Sequence, residues 1–210
     1  MDTLLLLIGI TVIGYLIGSI PTANIMMRLF RNEDLRRVGT GNVTSTAVWI
    51  HAGRLPGILS LLGEILKTFV CLFIAYLLVN QLWAYLVMLV SAVVGQIWSV
   101  WLKGAGGRGQ TMFVTGFLVL CPVPFLVAVL TFAGALLVTK RLNLSNQVFH
   151  LVAPLTLLLG VFINPLPFGL GYHSWAYAIV GLIFCGLFFL KHRMECDDII
   201  QEQAWGTYSR

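Results

Sequence analysis

Long apolar runs alternate with short polar segments along this chain. The runs fall at 4–30, 57–79, 83–102, 111–138, 148–164 and 174–190. Most reach the roughly 17–25 residues that carry a helix across a hydrocarbon core. Strands of a barrel would alternate polar and apolar positions, and these runs do not. The pattern predicts an all-α bundle of membrane-spanning helices, each satisfying its own backbone hydrogen bonds.

Six runs become seven spans once charge is considered. Positive residues gather at 28–54, at Lys103 and Arg108, at Lys140 and Arg141, and at Lys191 and Arg193, whereas 80–82 and 164–173 carry none. Basic loops face the cytoplasm. A single helix over 111–138 would put two basic clusters on opposite sides. Cys121-Pro122-Val123-Pro124 supplies a break, because each proline removes a donor and disfavours continued helix. Seven helices follow, with the N-terminus outside, the C-terminus cytoplasmic, and some helices short or re-entrant. The first run lacks a basic leader and continues past Ser19-Ile20-Pro21 without a small-residue cleavage site, so it reads as a retained helix. With no repeat or linker, residues 1–210 read as one domain.

Composition agrees. The chain is 59% hydrophobic and only 10% charged, with a mean hydropathy of +0.92, whereas soluble domains carry about 25% charged residues. Its net charge of +5 reports topology, and no nucleic-acid partner is needed to explain it. The cysteines Cys71, Cys121, Cys185 and Cys196 form no C-x-x-C pair, so neither a disulfide framework nor a metal site is expected. No cofactor is implied.

Three glycine- or charge-rich segments, 31–56, 103–111 and 191–202, gather on the cytoplasmic face. Gly39-Thr40-Gly41-Asn42-Val43-Thr44-Ser45-Thr46 follows four arginines, Arg28, Arg31, Arg36 and Arg37. Glycines that let N–H groups converge, hydroxyl and amide donors, and fixed positive charge suit an anion. Lys103-Gly104-Ala105-Gly106-Gly107-Arg108-Gly109-Gln110-Thr111 is a second glycine loop. It lacks the P-loop lysine and follows a membrane helix, so it is no NTPase motif; it can still cradle phosphate. Gly18-Ser19-Ile20-Pro21-Thr22 is a proline kink that leaves the Ile17 carbonyl free and brings polar groups to membrane depth. Glu64 and Lys67 share a helix face and can neutralise each other as a brace. Lys191-His192-Arg193-Met194-Glu195-Cys196-Asp197 closes the last helix. Its H-x-x-x-x-D spacing would put His192 and Asp197 roughly 140° apart on a continuing helix, which argues against a catalytic pair. His150 and His173 read as interfacial or loop residues.

In order, Gly18-Ser19-Ile20-Pro21, Val38-Gly39-Thr40-Gly41-Asn42, Glu64-x-x-Lys67, Lys103 with Gly106-Gly107-Arg108-Gly109, and Lys191-His192-Arg193 resemble the bacterial acyl-phosphate:glycerol-3-phosphate acyltransferases over nearly the whole chain. The resemblance implies seven helices in the bacterial cytoplasmic membrane, motifs at the cytoplasmic face, and acyl transfer from acyl-phosphate to glycerol 3-phosphate, giving lysophosphatidic acid and phosphate. It implies catalytic roles for His192, Lys103 and Asn42. Substrate phosphates would be held by Ser19, Arg36, Arg37, Gly39, Thr40, Gly41, Thr46, Gly106, Gly107, Arg108 and Gly109. The chain departs from the family pattern S-G-N-x-G-A-T-N-x-x-R at Ala47 and Ile50, from G-H at Gly95-Gln96, from the loop lysine at Arg108, and from H-x-E-N at Glu195. The oligomeric state is open. A second function class uses the same donors without chemistry: a membrane carrier or binding module for a phosphorylated metabolite or lipid headgroup.

Overall fold

The computed structural model describes residues 3–162 and 175–192; Pro124, Leu142, Asn143, Phe162 and His192 are described by backbone alone. The helices are α1 (Thr3–Ser19), α2 (Thr22–Arg31), α3 (Ser45–Ala52), α4 (Arg54–Leu78), α5 (Leu82–Ile97), α6 (Gln110–Leu120), α7 (Pro122–Thr139), α8 (Leu142–Phe162) and α9 (Trp175–His192). Two 3₁₀ turns, Leu35–Arg37 and Val100–Leu102, complete the described elements. Thr3–Arg31, Arg54–Leu78, Leu82–Leu102 and Leu144–Val161 are long and apolar enough to cross a membrane, and Gln110–Leu120, Phe125–Thr139 and Trp175–Lys191 are shorter apolar helices. The expected break falls at Cys121, between α6 and α7. Contacts divide the chain into two compact units, one running through Thr115 and the other beginning at Gly116.

In the first unit α1 lies against α5. Small residues let the two backbones meet: a Cβ on Gly18 would overlap the Ala92 carbonyl, and one on Gly95 would overlap that of Tyr15. Close approach of this kind is how membrane helices gain packing energy, since lipid tails are as apolar as leucine. Tyr15 fastens the crossing by donating to the Trp98 carbonyl at 2.9 Å. The expected kink in the first run is a full break at Ile20-Pro21. The freed Ile17 carbonyl accepts instead from the Ile20 amide at 3.2 Å.

Beyond that break the chain turns back on itself. Asn32 ends α2 in a left-handed conformation, φ 56°, and buried Asn24 accepts from the Leu35 amide at 2.8 Å. The loop expected over 31–56 contains a helix. Thr44 caps α3 by accepting from the Ala47 amide at 3.1 Å, which satisfies an otherwise orphaned donor. Ala23, Met27, Leu35, Val43, Val48 and Leu102 form one buried cluster. This core therefore pins α2, the glycine strip, α3 and the turn before the second glycine loop to one another.

The second unit holds α7, α8 and α9 around aromatic contacts. Phe117 meets Phe125, Tyr177 and Phe184. His150, expected at an interface or in a loop, lies buried inside α8. Its ring stacks on Phe188 with centroids 3.6 Å apart, because the polar face that would carry an interfacial histidine is here turned into the aromatic core. His173 lies outside the described residues.

Candidate functional site

Two left-handed glycines bend the strip: Gly39 at φ 57° and Gly41 at φ 75°, a region where side chains are strained. The Gly41 amide donates to the Val38 carbonyl at 3.1 Å. Val43 then drops its side chain into the buried cluster, and Thr44 starts α3.

The second glycine loop crosses this strip. The Val43 amide donates to the Gly106 carbonyl at 3.4 Å, and the Gly107 amide donates to the Gln96 carbonyl at 2.9 Å. A Cβ on Gly107 would stand 2.5 Å from the Val43 carbonyl oxygen, and one on Gly106 would overlap the carbonyls of Gln96 and Ile97. The glycines are needed because backbone meets backbone. Two segments far apart in sequence thus form one surface, backbone against backbone, beside the hydroxyls of Thr40 and Thr46.

A buried polar network underlies that surface. Glu64, Lys67 and Gln96 are each about 5–6% exposed. The Lys67 ammonium donates to the carbonyls of Gly18 at 3.1 Å and Ile20 at 2.7 Å, and to the Gln96 amide oxygen. Its three donors meet three acceptors, two of them carbonyls beside the Pro21 break. The Gln96 amide nitrogen donates to the Glu64 carboxylate at 3.2 Å. Glu64 is also hydrogen-bonded by the side chains of Ser45 and Thr111, and the Ser45 and Ser60 hydroxyl oxygens lie 2.9 Å apart. The expected Glu64–Lys67 brace exists, with Gln96 linking its two halves, and it reaches both α3 and the start of α6.

At the rim, Arg36, expected to hold a substrate phosphate, is paired with an acidic side chain. Its guanidinium grips Asp34, with Nε to Oδ1 at 3.0 Å and Nη2 to Oδ2 at 2.7 Å, and Nη1 reaches the Leu102 carbonyl at 3.4 Å. Arg28 donates to the same carboxylate at 2.7 Å. The Arg36 hydrogen bonds hold the Asp34 carboxyl well below the usual carboxylate range, assisted by Arg28, and Asp34 in turn raises the Arg36 guanidinium. This clamp borders an open cleft of about 870 Å³ whose wall includes Arg37, Val38 and Gly39.

The other expected residues divide. Gly39, Thr40 and Arg37 are exposed, Asn42, Thr46 and Arg108 are half-buried, and Gly106, Gly107 and Gly109 are buried in the loop. Lys103 is exposed at the turn into that loop, with φ 57°. Ser19 is buried in the α1–α5 crossing, where its hydroxyl has no partner; small size at a backbone contact explains its place better than a ligand does. His192 ends α9 in the second unit, and its side chain, like Glu195 and Asp197, lies outside the described residues.

Sequence reasoning passed over His51. A Cβ on Gly39 would lie 2.7 Å from its Nε2, so the imidazole rests on the strip. Recognising α3 would have found it, because His51 follows Ala47 by one turn on the same face.

The profile of the glycerol-3-phosphate acyltransferase family matches residues 8–202. Among curated proteins, the glycerol-3-phosphate acyltransferase of Syntrophomonas wolfei is 28% identical over 90% of this chain and 91% of its own length. That of Desulforamulus reducens is 30% identical over 69% of this chain and 70% of its own length. The crystal structure of PlsY (YgiH), an integral membrane glycerol 3-phosphate acyltransferase, in its glycerol 3-phosphate form, shares the fold with a TM-score of 0.76. It is 24% identical and covers 89% of this chain and 88% of its own. Its lysophosphatidic acid form aligns with a TM-score of 0.73 at 23% identity, over 89% of this chain and 88% of its own. The chain belongs to the glycerol-3-phosphate acyltransferase family.

Proposed function

We propose that this chain, a membrane acyltransferase of phospholipid synthesis, takes its acyl group from an acyl-phosphate and passes it to glycerol 3-phosphate at the cytoplasmic face of the bacterial inner membrane. The glycerol hydroxyl forms an ester bond as the acyl–phosphate C–O bond breaks. Hydrogen phosphate leaves, carrying the hydroxyl proton in the overall balance. The observation that carries this reading is the crossing of the two glycine segments at Val43 and Gly106. Two phosphorylated substrates need two sets of anion donors side by side, and this crossing supports that arrangement.

The strip, with Asn42, Thr40 and Thr46, holds one phosphate, and the loop, with Arg108 and Lys103 beside it, holds the other. Positioning and electrostatic stabilisation then supply the rate, since both act on charge that is already in place. A catalytic role for His192 rests only on the motif it shares with the family. Seven spans with the C-terminus inside follow from the basic clusters, and residues 1–210 act as one domain. A carrier needs a path through the membrane, and Pro21, Glu64 and Lys67 are the residues at membrane depth that could line one. Glu64 and Lys67 are instead bound into the internal network, and that weakens the carrier alternative.

Purified protein supplied with acyl-phosphate and glycerol 3-phosphate is expected to release phosphate and lysophosphatidic acid in equal amounts. Absence of both products, with saturable uptake of glycerol 3-phosphate into proteoliposomes, would select the carrier.

A further inference from the structure

We propose that His51 is a substrate-binding residue, supplying the phosphate of glycerol 3-phosphate with the donor that the chain lacks at position 50. The proposal rests on the glycerol 3-phosphate reading above and names a residue to which that reading gives no part.

Three observations converge on it. The imidazole Nε2 lies against Gly39, where a Cβ would come within 2.7 Å of it. This is the left-handed glycine that opens the strip. No hydrogen-bond partner for the ring is present among the described residues, and the side chain is only half-buried. An imidazole carries at least one N–H donor in either protonation state, and this one is left for a ligand.

The cations expected at the strip are not equally available. Arg36 is held by Asp34 through two of its nitrogens and by the Leu102 carbonyl through the third. Ile50 contributes no charge. His51 is the next residue on α3, one turn beyond half-buried Ala47 on the same face. Ala47 packs on the buried cluster against which Val38 also packs, and Gly39 lies against His51 one turn on. A small residue at 47 leaves the face open for the ring one turn on.

The test measures both glycerol 3-phosphate binding, by calorimetry on purified protein in detergent with glycerol as the uncharged control, and turnover. His51→Ala is expected to weaken binding about tenfold or more, the loss of one good hydrogen bond to a charged group. It should raise KM for glycerol 3-phosphate far more than it lowers kcat. His51→Gln, which keeps an N–H donor, is expected to retain most of the affinity. Ile50→Arg in the His51→Ala background is expected to restore it, which a merely structural histidine would not allow. If wild type binds and turns over while His51→Ala binds within twofold of it, the inference falls and the acyltransferase reading stands. If wild type binds but makes no product, and His51→Ala loses binding, the acyltransferase reading falls and the His51 site stands. Loss in His51→Ala with no rescue by arginine also overturns the inference.

Discussion

Replacing Lys67 by methionine tests what the buried network does. Two estimates compete. Interhelical hydrogen bonds inside membranes average about 0.6 kcal/mol, so losing the three that Lys67 makes would destabilise by only about 2 kcal/mol. Removing one partner of a buried charge network instead costs about 3–5 kcal/mol, because the other charge is stranded. Without Lys67 the nearly inaccessible Glu64 carboxylate is left uncompensated or must take up a proton to escape that, and either course costs stability. The stranded charge should therefore dominate, lowering the melting temperature of a chain this size by about 6–20 °C. The double variant Lys67→Met/Glu64→Gln separates the two accounts. If the stranded charge dominates, the double variant is more stable than Lys67→Met alone; if the hydrogen bonds dominate, it is less stable. A thiol-reactive dye can follow unfolding in detergent, because Cys71 is fully buried on α4 beside the network. A Lys67→Met protein that melts within 2–3 °C of wild type, or a double variant that melts below it, would refute the reasoning.

Other outcomes follow from the same geometry. Gly107→Ala drives a Cβ to 2.5 Å from the Val43 carbonyl, so the two glycine segments must part. Turnover is expected to fall about a hundredfold, the usual penalty for a misplacement near 1 Å, and wild-type rates would contradict it. Asp34→Asn releases Arg28 and Arg36 and should destabilise the protein by about 1–3 kcal/mol at neutral pH. The depressed Asp34 carboxyl contributes stability above its unfolded value of about 3.9 and loses it as pH falls through the lower folded value, so the gap between wild type and variant should close toward pH 3. A gap unchanged from pH 7 to pH 3 would sink that account. KM for glycerol 3-phosphate should rise several-fold between roughly 0.05 and 0.5 M salt, because Arg37 and Lys103 are exposed and the screening length falls below about 10 Å over that range. Steady-state kinetics at constant pH reads this directly, and a flat KM would contradict it.

The spans were legible because length and uniform apolarity leave few alternatives, and the break at Cys121 because two prolines announce it. The meeting of the two glycine segments was legible only as shared topology. Their contact depends on Val43 and Leu102 entering one core, which no local pattern states. Helix α3 was hidden, since its eight residues are nearly uniform in hydropathy around the circumference and its cap, Thr44, reads as one more polar residue in a polar strip. The pairing of Arg36 with Asp34 was not legible for a general reason: sequence records a positive charge without recording what neutralises it. Gln96 stood out as a departure, but its role required the positions of α1 and α4. An amide can accept from an ammonium and donate to a carboxylate at once, and here it does both.

The charge arrangement explains why this site relies so heavily on backbone. Arg28 and Arg36 are committed to Asp34, and Lys67 to two carbonyls and Gln96. Two of these cations hold the loop that precedes the strip, and one closes the helix break beneath it. Around the strip Arg37 and Lys103 are exposed and His51 is half-buried. Amides fixed by backbone contact need no reorganisation when an anion arrives, whereas long exposed cations must lose rotamer freedom to engage it. The departures at Ile50 and Gln96 act on these two classes separately. Ile50 removes a cation from the ligand side, where a neighbouring ring can replace it. Gln96 alters a link in the underlying network and leaves its hydrogen bonds satisfied. Neither change touches the backbone crossing at Val43 and Gly106, on which the proposed anion site is built.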